Sequence, residues 1–262
     1  MNDFLKNQAL LWERLTILSA VRVQRKYLSR YPAIAVLSGD YVSLRAMLQG
    51  RFELKELGLL AKDVFPMVRT RKICIDIGAN IGNHSVFFSE HFDEVIGLEP
   101  HPVAFDLLQL NAKWYPRIKP MRVGASDQDR VVKATIPFGN LGGAKIAADG
   151  PASVEAQTVE FECRRVDDLL PESRHRDVGF VKIDVEGHEY EAMRGCEKIL
   201  RTAKPIIAFE LLREDHERNR QRISSFLADM GYSRFLDFSF GRTREISAFR
   251  TKNYKMVVAI PQ

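Results

Sequence analysis

KICIDIGANIGNHSVFF, residues 72–88, predicts a strand, a glycine turn and the start of a helix within one short stretch. The β-branched run before Gly78 is typical of a strand buried in a parallel sheet. Gly78 permits a tight turn, and Gly82 lets the following helix pack close to the sheet. Asn80 lies between them, where its side chain tolerates unusual backbone angles. The stretch therefore predicts a ligand-binding turn at the carboxyl end of a first strand.

The turn departs from the known phosphate-binding patterns. In the dinucleotide fingerprint G-x-G-x-x-G starting at Gly78, the second and third glycine positions are held by Asn80 and Asn83. The G-K-[ST] sequence of a P-loop is also missing from this stretch. These departures disfavour an NAD-dependent oxidoreductase and predict a nucleoside ligand that carries no phosphates.

From residue 72 onward, short apolar runs alternate with helical patterns. This alternation predicts an α/β fold with a mostly parallel sheet, helices on both faces and ligands bound beyond the carboxyl ends of the strands. Between about residues 130 and 168, two apolar runs flank a Gly/Ala-rich loop and predict an inserted β-hairpin. We therefore divide the chain into an N-terminal helical extension, residues 1–70, and an α/β domain, residues 71–262.

The N-terminal extension carries the basic excess of the chain. Residues 1–72 hold 13 Lys/Arg against 6 Asp/Glu, in a chain whose net charge is +5. The segment could contact an anionic membrane surface, although a solvated helical face is the simpler interpretation. Its apolar run is interrupted by Glu13 and Arg14, so no membrane span is predicted. Because the three cysteines lack metal-site or disulfide spacing, we expect a cytoplasmic protein that could also associate with a membrane.

Three acidic residues follow the first three predicted strands. Asp76 ends the first strand, Glu99 ends the second at the spacing of a ribose-binding acid, and Asp127 follows the third beside the expected adenine position. Each could instead cap a helix or turn. Together with the glycine turn, they suit a cationic ligand with hydroxyls and an amino group. We therefore predict S-adenosylmethionine (SAM) as the cofactor, bound by Asp76, Gly78, Asn80, Gly82, Glu99 and Asp127.

The stretch KIDVEGHE, residues 182–189, ends the fourth strand and faces the predicted methyl end of the cofactor. His188 is the candidate base, since imidazole titrates near neutrality. Asp184 could orient the acceptor or the methionine amine, and Glu186 completes the catalytic set. The alternative is that His188 and Glu186 only stabilise the first helical turn. Alternating strand residues point to opposite faces, so no metal is predicted, and Lys182 is expected to reach solvent from a sheet face.

The combination of motifs resembles the FkbM family of SAM-dependent methyltransferases from about residue 50 to residue 261. The motifs that carry the resemblance are GRFELKEL, CIDIGANIGNHS, GLEPHPVAFDLL, GASD, VKIDVEGHEYEAMRG and PIIAFEL. The resemblance implies the class I methyltransferase fold, a Rossmann-like sheet of seven strands whose last strand is antiparallel. It also implies methylation of a hydroxyl group, often on a sugar or glycoconjugate.

Two other functions stay open at this point. The basic N-terminal segment is compatible with a nucleic-acid methyltransferase acting on RNA. However, the fourth strand ends in DVEG, which differs from the motif with which amino-directed DNA enzymes hold a flipped base, and we expect no nucleic-acid partner. A non-catalytic SAM-binding partner protein is the other alternative. The acids of DVEGHE favour an enzyme, whose acceptor and oligomeric state the sequence does not name.

Overall fold

The computed structural model of the chain describes residues 3–27, 33–137, 145–146, 156–211, 217–238, 241–246 and 254–262. The α-helices within these residues are α1 (Asp3–Tyr27), α2 (Tyr41–Gln49), α3 (Leu54–Leu59), α4 (Asn83–Phe88), α5 (Pro102–Ala112), α6 (Glu189–Gly195), α7 (Glu197–Ala203) and α8 (Glu217–Asp229). The strands are β1 (Ile73–Ile77), β2 (Glu94–Leu98), β3 (Ile118–Met121), β4 (Gly124–Ala125), β5 (Arg130–Pro137), β6 (Lys145–Ile146), β7 (Ala156–Arg164), β8 (Val178–Ile183), β9 (Ile206–Leu211), β10 (Tyr232–Asp237), β11 (Arg244–Ile246) and β12 (Tyr254–Pro261).

The main sheet confirms the predicted fold class. Its strand order is β11-β10-β12-β9-β8-β1-β2-β3 within the described residues. Neighbouring strands from β3 to β9 are parallel, whereas β12 is antiparallel to both β9 and β10. This is the seven-stranded class I arrangement with its antiparallel last strand. One short strand, β11, pairs with β10 and adds an eighth strand at the edge of the sheet.

The inserted hairpin is present as a second, smaller sheet. Strands β5 and β7 pair antiparallel along their whole length, from Arg130–Cys163 to Pro137–Ala156. Strand β6 pairs with β5, and β4 joins β7 in parallel, so the order is β4-β7-β5-β6. Most of the predicted Gly/Ala-rich loop lies outside the described residues. Because β4 follows β3 closely in the chain, this sheet is anchored beside the carboxyl end of β3.

The core packs against both faces of the main sheet. All five residues of β1 are buried, as expected for a central parallel strand. Ile75 belongs to one apolar cluster with Val181, whereas the neighbouring Cys74 belongs to a second cluster with Phe180. Since successive strand residues point to opposite faces, these clusters cover the two sides of the sheet. The central strands are therefore held rigidly where their carboxyl ends form a site.

The N-terminal helices confirm the predicted helical extension and reach the core of the α/β domain. Asp40 caps α2 by accepting a hydrogen bond from the backbone N–H of Ser43 at 2.8 Å. After α3, Phe65 is buried in the same cluster as Phe180, with ring centroids 5.3 Å apart. The segment after α2 therefore shares its core with the sheet, and the domain boundary at residue 70 stays a prediction.

Helix α1 exposes several large apolar side chains, including Leu11 and Leu18. Even so, no helix within the described ranges combines the length and apolarity that crossing a membrane requires.

Candidate active site

A cleft of about 300 Å³ lies at the carboxyl ends of β1, β2, β8 and β9. This is the position at which doubly wound sheets bind ligands, and the volume is within the range of small-molecule sites. One wall is largely apolar and comes from the second sheet and the end of β2: Leu98, Pro100, Ala125, Val132, Ala134, Phe161 and Cys163. The other end collects the polar side chains Glu53, His84, Lys182, Asp184, Glu186 and Glu210.

The glycine turn after β1 forms the floor of the cleft. Gly78 has φ of +76°, and a Cβ at this position would lie 1.8 Å from the backbone oxygen of Asp184. Only glycine fits this contact between the turn and the end of β8. Asn80 has φ of +52°, in the left-handed region that asparagine tolerates, as predicted. The backbone N–H groups of Gly78 and Ala79 both donate to the carbonyl of Leu98 at 3.0 Å, which fixes the turn to β2.

Glu99 closes the other side of the turn. Its Oε2 accepts a hydrogen bond from the backbone N–H of Asn80 at 2.7 Å, and its Oε1 accepts one from the N–H of His101 at 2.8 Å. Burial raises the pKa of Glu99 to about 7, although the two backbone hydrogen bonds oppose that rise. Each carboxylate oxygen has a second lone pair. Glu99 can therefore accept hydrogen bonds from ligand hydroxyls while it holds the turn.

Lys182 lies inside the protein, so the expectation that it reaches solvent from a sheet face is wrong. Its Nζ lies 3.1 Å from Oδ2 of Asp184 and 3.5 Å from Oδ1 of Asp76, and it donates to the carbonyl of Gly78 at 3.2 Å. Burial alone would lower the pKa of Lys182, but the carboxylates of Asp184 and Asp76 outweigh it and raise that pKa. The buried Asp76 and the partly buried Asp184, at neighbouring strand ends, hold the ammonium group in place.

Asp76 acts behind the cleft. Its side chain is fully buried, and its Oδ2 accepts a hydrogen bond from the Ser85 hydroxyl at 2.6 Å. Through Ser85 of α4 and Lys182 of β8, Asp76 links the helix after the turn to the neighbouring strand. Asp76 is absent from the cleft lining among the described residues, so it supports the turn from behind. Its predicted contact with the cofactor stays a prediction.

Gly82 and Asp127 also stand apart from the cleft lining among the described residues. Gly82 has φ of +90°, and a Cβ there would lie 2.8 Å from the Leu108 side chain, so this glycine allows α4 to pack on α5. Asp127 is partly exposed, and its carboxylate lies 3.5 Å from Arg130 Nη2. The adenine contact assigned to Asp127 stays a prediction.

Three carboxylates meet at the polar end of the cleft. One oxygen each from Asp184, Glu186 and Glu210 lies within 4.8 Å of the other two. Burial raises the pKa of Glu210 to about 10, and the nearby charge of Asp184 adds to the rise. Glu210 therefore carries a proton at neutral pH. Carboxylate oxygens in this arrangement could hold a hard divalent cation. The sequence predicted no metal site, and the absence of a metal stays a prediction.

His188 lies at the N-terminus of α6 and lines the cleft as predicted for a site residue. Its Nε2 lies 3.1 Å from the Ser126 hydroxyl, and its Nδ1 lies 3.5 Å from Oε2 of Glu191. Burial lowers the pKa of His188, although the charge of Glu191 opposes this. Burial therefore favours the neutral imidazole, the form that can accept a proton. Its role as the base stays a prediction.

The N-terminal segment contributes residues that sequence reasoning missed. Tyr41, Phe52 and Glu53 line the cleft, together with His84 of α4. Glu53 lies in GRFELKEL, a motif counted only as part of the family resemblance. A carboxylate next to an aromatic residue, just before the helix α3, was the one available signal. His84 was different: its position near a predicted helix start made a cofactor contact conceivable from sequence, although a role in the helical turn was the simpler interpretation.

Known proteins resemble this chain at both the sequence and the fold level. Hexuronic acid methyltransferase AglP from Haloferax volcanii is 30% identical over 134 residues, which cover 50% of this chain and 53% of the relative. The chain therefore spans about half the length of the curated relative it matches.

Two solved structures are similar to this chain at low sequence identity. Methyltransferase FkbM from Methylobacillus flagellatus has a TM-score of 0.48 at 14% identity, covering 94% of this chain and 60% of that chain. Magnesium protoporphyrin IX methyltransferase from Synechocystis, solved with bound SAM, has a TM-score of 0.43 at 12% identity, covering 93% and 97%.

The methyltransferase FkbM domain model matches residues 76–234, more than half of the chain. The matched region begins at Asp76 before the glycine turn and includes Glu99, Asp184 and His188. The resemblance found in the motifs is thereby confirmed, and the chain belongs to the FkbM methyltransferase family.

Proposed function

We propose that the chain is a SAM-dependent methyltransferase that transfers a methyl group to a hydroxyl of a sugar or glycoconjugate. The observation that carries the proposal is the bond between Glu99 and the backbone of Asn80. Through this bond the Glu99 carboxylate lies against a glycine turn that lacks the features of a phosphate site, and we expect it to accept hydrogen bonds from ribose hydroxyls. The ligand for which this arrangement is suited is a nucleoside without phosphates.

The residues present fit SAM in three respects. Glu99 has free lone pairs for ribose hydroxyls, and apolar side chains such as Val132 and Phe161 offer surface for an adenine ring. At the other end, Asp184 offers a carboxylate for an ammonium or sulfonium group. When bound, SAM would supply an electrophilic methyl group on a positively charged sulfur.

The chain itself would supply orientation and proton transfer. Lys182 pairs with the Asp184 carboxylate and donates to the Gly78 carbonyl, so the end of β8 and the glycine turn are held together. Such positioning contributes most to a transfer that needs an aligned acceptor oxygen. Asp184 and Glu186 would orient the acceptor, and His188 would accept the hydroxyl proton.

A sugar acceptor is favoured over a nucleic acid by the charge of the cleft. Its polar end has the acidic side chains Glu53, Asp184 and Glu186, besides the protonated Glu210, against Lys182 and His84. A polyanionic backbone would be repelled there. The relative from Haloferax volcanii is named for a sugar substrate, which supports the same acceptor class.

Methyl-labelled SAM incubated with the chain and with separate pools of glycans, lipids and nucleic acids tests the proposal. We expect label in the glycan or glycolipid pool, and we expect Glu99→Ala to reduce it. The matched control is Glu160→Ala, because Glu160 is an exposed carboxylate of β7 outside the cleft. Label confined to RNA or DNA would overturn the proposal. SAM binding without label in any pool would indicate the non-catalytic alternative.

A further inference from the structure

The segment after α2 is fixed to the helix that follows the glycine turn. The backbone N–H of Phe52 donates to Oδ1 of Asn83 at 2.9 Å, and Nδ2 of Asn83 donates back to the Phe52 carbonyl at 3.1 Å. Arg51 pairs with Glu90 and lies over the Phe87 ring at 5.1 Å. These contacts join residues between 31 and 39 positions apart. The N-terminal segment is therefore fixed in place as a wall of the cleft.

Glu53 is held on this wall in an unfavourable backbone conformation. Its φ is +54°, in the left-handed region that a residue with a side chain rarely adopts. Its Oε2 lies 3.3 Å from Nε2 of His84, and both side chains line the cleft. Backbone strain of this kind is retained where the surroundings determine a side-chain position. The carboxylate of Glu53 is therefore presented to whatever enters this end of the cleft.

Two aromatic rings flank that carboxylate. The rings of Tyr41 and Phe52 meet edge to face, with centroids 6.1 Å apart and planes at 79°. Both line the cleft, and Tyr41 is 53% exposed, so its ring is available to a ligand. A pyranose ring has an apolar C–H face and a rim of hydroxyl groups. Tyr41 and Phe52 suit the C–H face, and the Glu53 carboxylate suits the hydroxyls.

The acidic groups at the polar end of the cleft also restrict the charge that an acceptor can carry. Lys182 is already engaged by Asp76 and Asp184, so its ammonium group is not available to a bound anion. Glu53 and Glu186 add acidic groups at the same end of the cleft. An acceptor with its own carboxylate would meet repulsion from like charges at close range.

We propose that Tyr41, Phe52 and Glu53 form the acceptor subsite, and that the subsite takes an uncharged pyranose in preference to a uronic acid. This inference rests on the proposed sugar methylation and names the acceptor class for it. It also separates this chain from a relative that is named for hexuronic acid. The N-terminal segment would then determine the acceptor, whereas the glycine turn determines the cofactor.

The test compares how fast the full chain methylates neutral sugars and their matched uronic acids. Methyl glucoside, methyl galactoside and methyl mannoside are each offered with labelled SAM beside the corresponding methyl uronosides. We expect the best neutral sugar to react at least about tenfold faster than its uronoside. Phe52→Leu and Tyr41→Leu should each raise KM for that sugar about tenfold, because each removes one aromatic contact. SAM affinity, measured by calorimetry, should not change.

Control variants show whether a change in KM comes from the subsite or from a general loss of activity. Trp114→Leu removes an aromatic ring of similar exposure outside the cleft and should leave KM unchanged. Glu53→Gln keeps the shape of the side chain and removes its charge. It should therefore reduce the difference in reaction rate between the neutral sugar and its uronoside. A preference for the uronoside, or an unchanged KM in both aromatic variants, would overturn the subsite while methyl transfer to sugar still stands. Absence of SAM binding, or label in a non-sugar acceptor, would overturn the proposed function and the subsite with it.

Discussion

Glu99 accepts a hydrogen bond from the backbone N–H of Asn80 at 2.7 Å, so the acid that ends β2 and the turn that follows β1 form one unit. The bond spans two strands that are direct neighbours in the sheet. It also uses a backbone N–H whose residue is in the left-handed conformation. The left-handed turn and the position of the carboxylate therefore depend on each other.

Loss of the Glu99 carboxylate should weaken cofactor binding. Glu99→Ala removes the predicted ribose contact and leaves the Asn80 N–H without its partner. We expect SAM affinity to fall by about 1–3 kcal/mol, the range for hydrogen bonds to a charged group. Isothermal titration calorimetry gives the value, with Glu160→Ala as the control. An affinity equal to that of the parent chain would remove Glu99 from the cofactor site.

SAM binding should also depend on pH near neutrality. The pKa of Glu99 is raised to about 7 by burial, so its ionised fraction increases as pH rises through that value. The ionised carboxylate is the better acceptor for hydroxyls. SAM should therefore bind more tightly as pH rises through about 7. Calorimetry across this range tests the sign, and Glu99→Gln should abolish the step; a step that persists would belong to another group.

The same raised pKa predicts a loss of stability for the ligand-free chain at higher pH. A carboxyl whose folded-state pKa exceeds its unfolded value binds more protons in the folded state. Its burial penalty is therefore absent at low pH and fully present above pH of about 7. In the Glu99→Gln variant, the decline in unfolding free energy between mildly acidic and neutral pH should be smaller. Urea titrations at several pH values measure the difference.

Removal of the buried ammonium group should destabilise the fold. Lys182→Met leaves Asp76 and Asp184 without the cation that neutralises them, and Asp76 is completely buried. Breaking a buried ion pair in this way costs about 3–5 kcal/mol. Urea unfolding measures the loss, and Lys133→Met, at an exposed position of β5, serves as the control. A loss no larger than in the control would contradict the structural role.

Replacement of His188 should lower the rate of methyl transfer without changing SAM affinity. His188→Ala removes the proposed base, and turnover should fall about 10²- to 10⁴-fold while SAM affinity is retained. His91→Ala, a histidine outside the cleft lining, is the control. Because burial lowers the pKa of His188, the acid limb of the rate profile should lie below the usual histidine range. Full activity in the variant would show that His188 is not the base and that its role is to stabilise the first turn of α6.

Two glycines give a matched test of the turn. A Cβ at Gly78 would lie 1.8 Å from a backbone oxygen, and its φ is positive, so Gly78→Ala should cost at least about 3 kcal/mol. A Cβ at Gly58, inside α3, would meet nothing within 4 Å. Gly58→Ala should therefore be neutral or stabilise the chain by about 0.5–1 kcal/mol. Thermal unfolding compares the two, and equal stabilities would refute the close contact.

The sequence by itself determined the fold class, the turn and the positions of the candidate acids. The spacing of apolar residues predicts the order of strands and helices, because burying one face of a strand or helix requires apolar residues at the period of that element. Gly78 and Asn80 report a left-handed turn, since few other residues adopt it. Glu99 and Asp184 follow strands that the pattern identified, so their place at the edge of the sheet was predictable.

Only the tertiary structure decided which side chains share the cleft. It placed Lys182 inside the protein, because two acids from neighbouring strand ends compensate its burial. It put Asp127 beside Arg130 and away from the cleft lining among the described residues. It brought Glu53 to His84 across thirty-one positions of sequence. Such contacts depend on how distant segments pack, and no local period of the sequence encodes that packing.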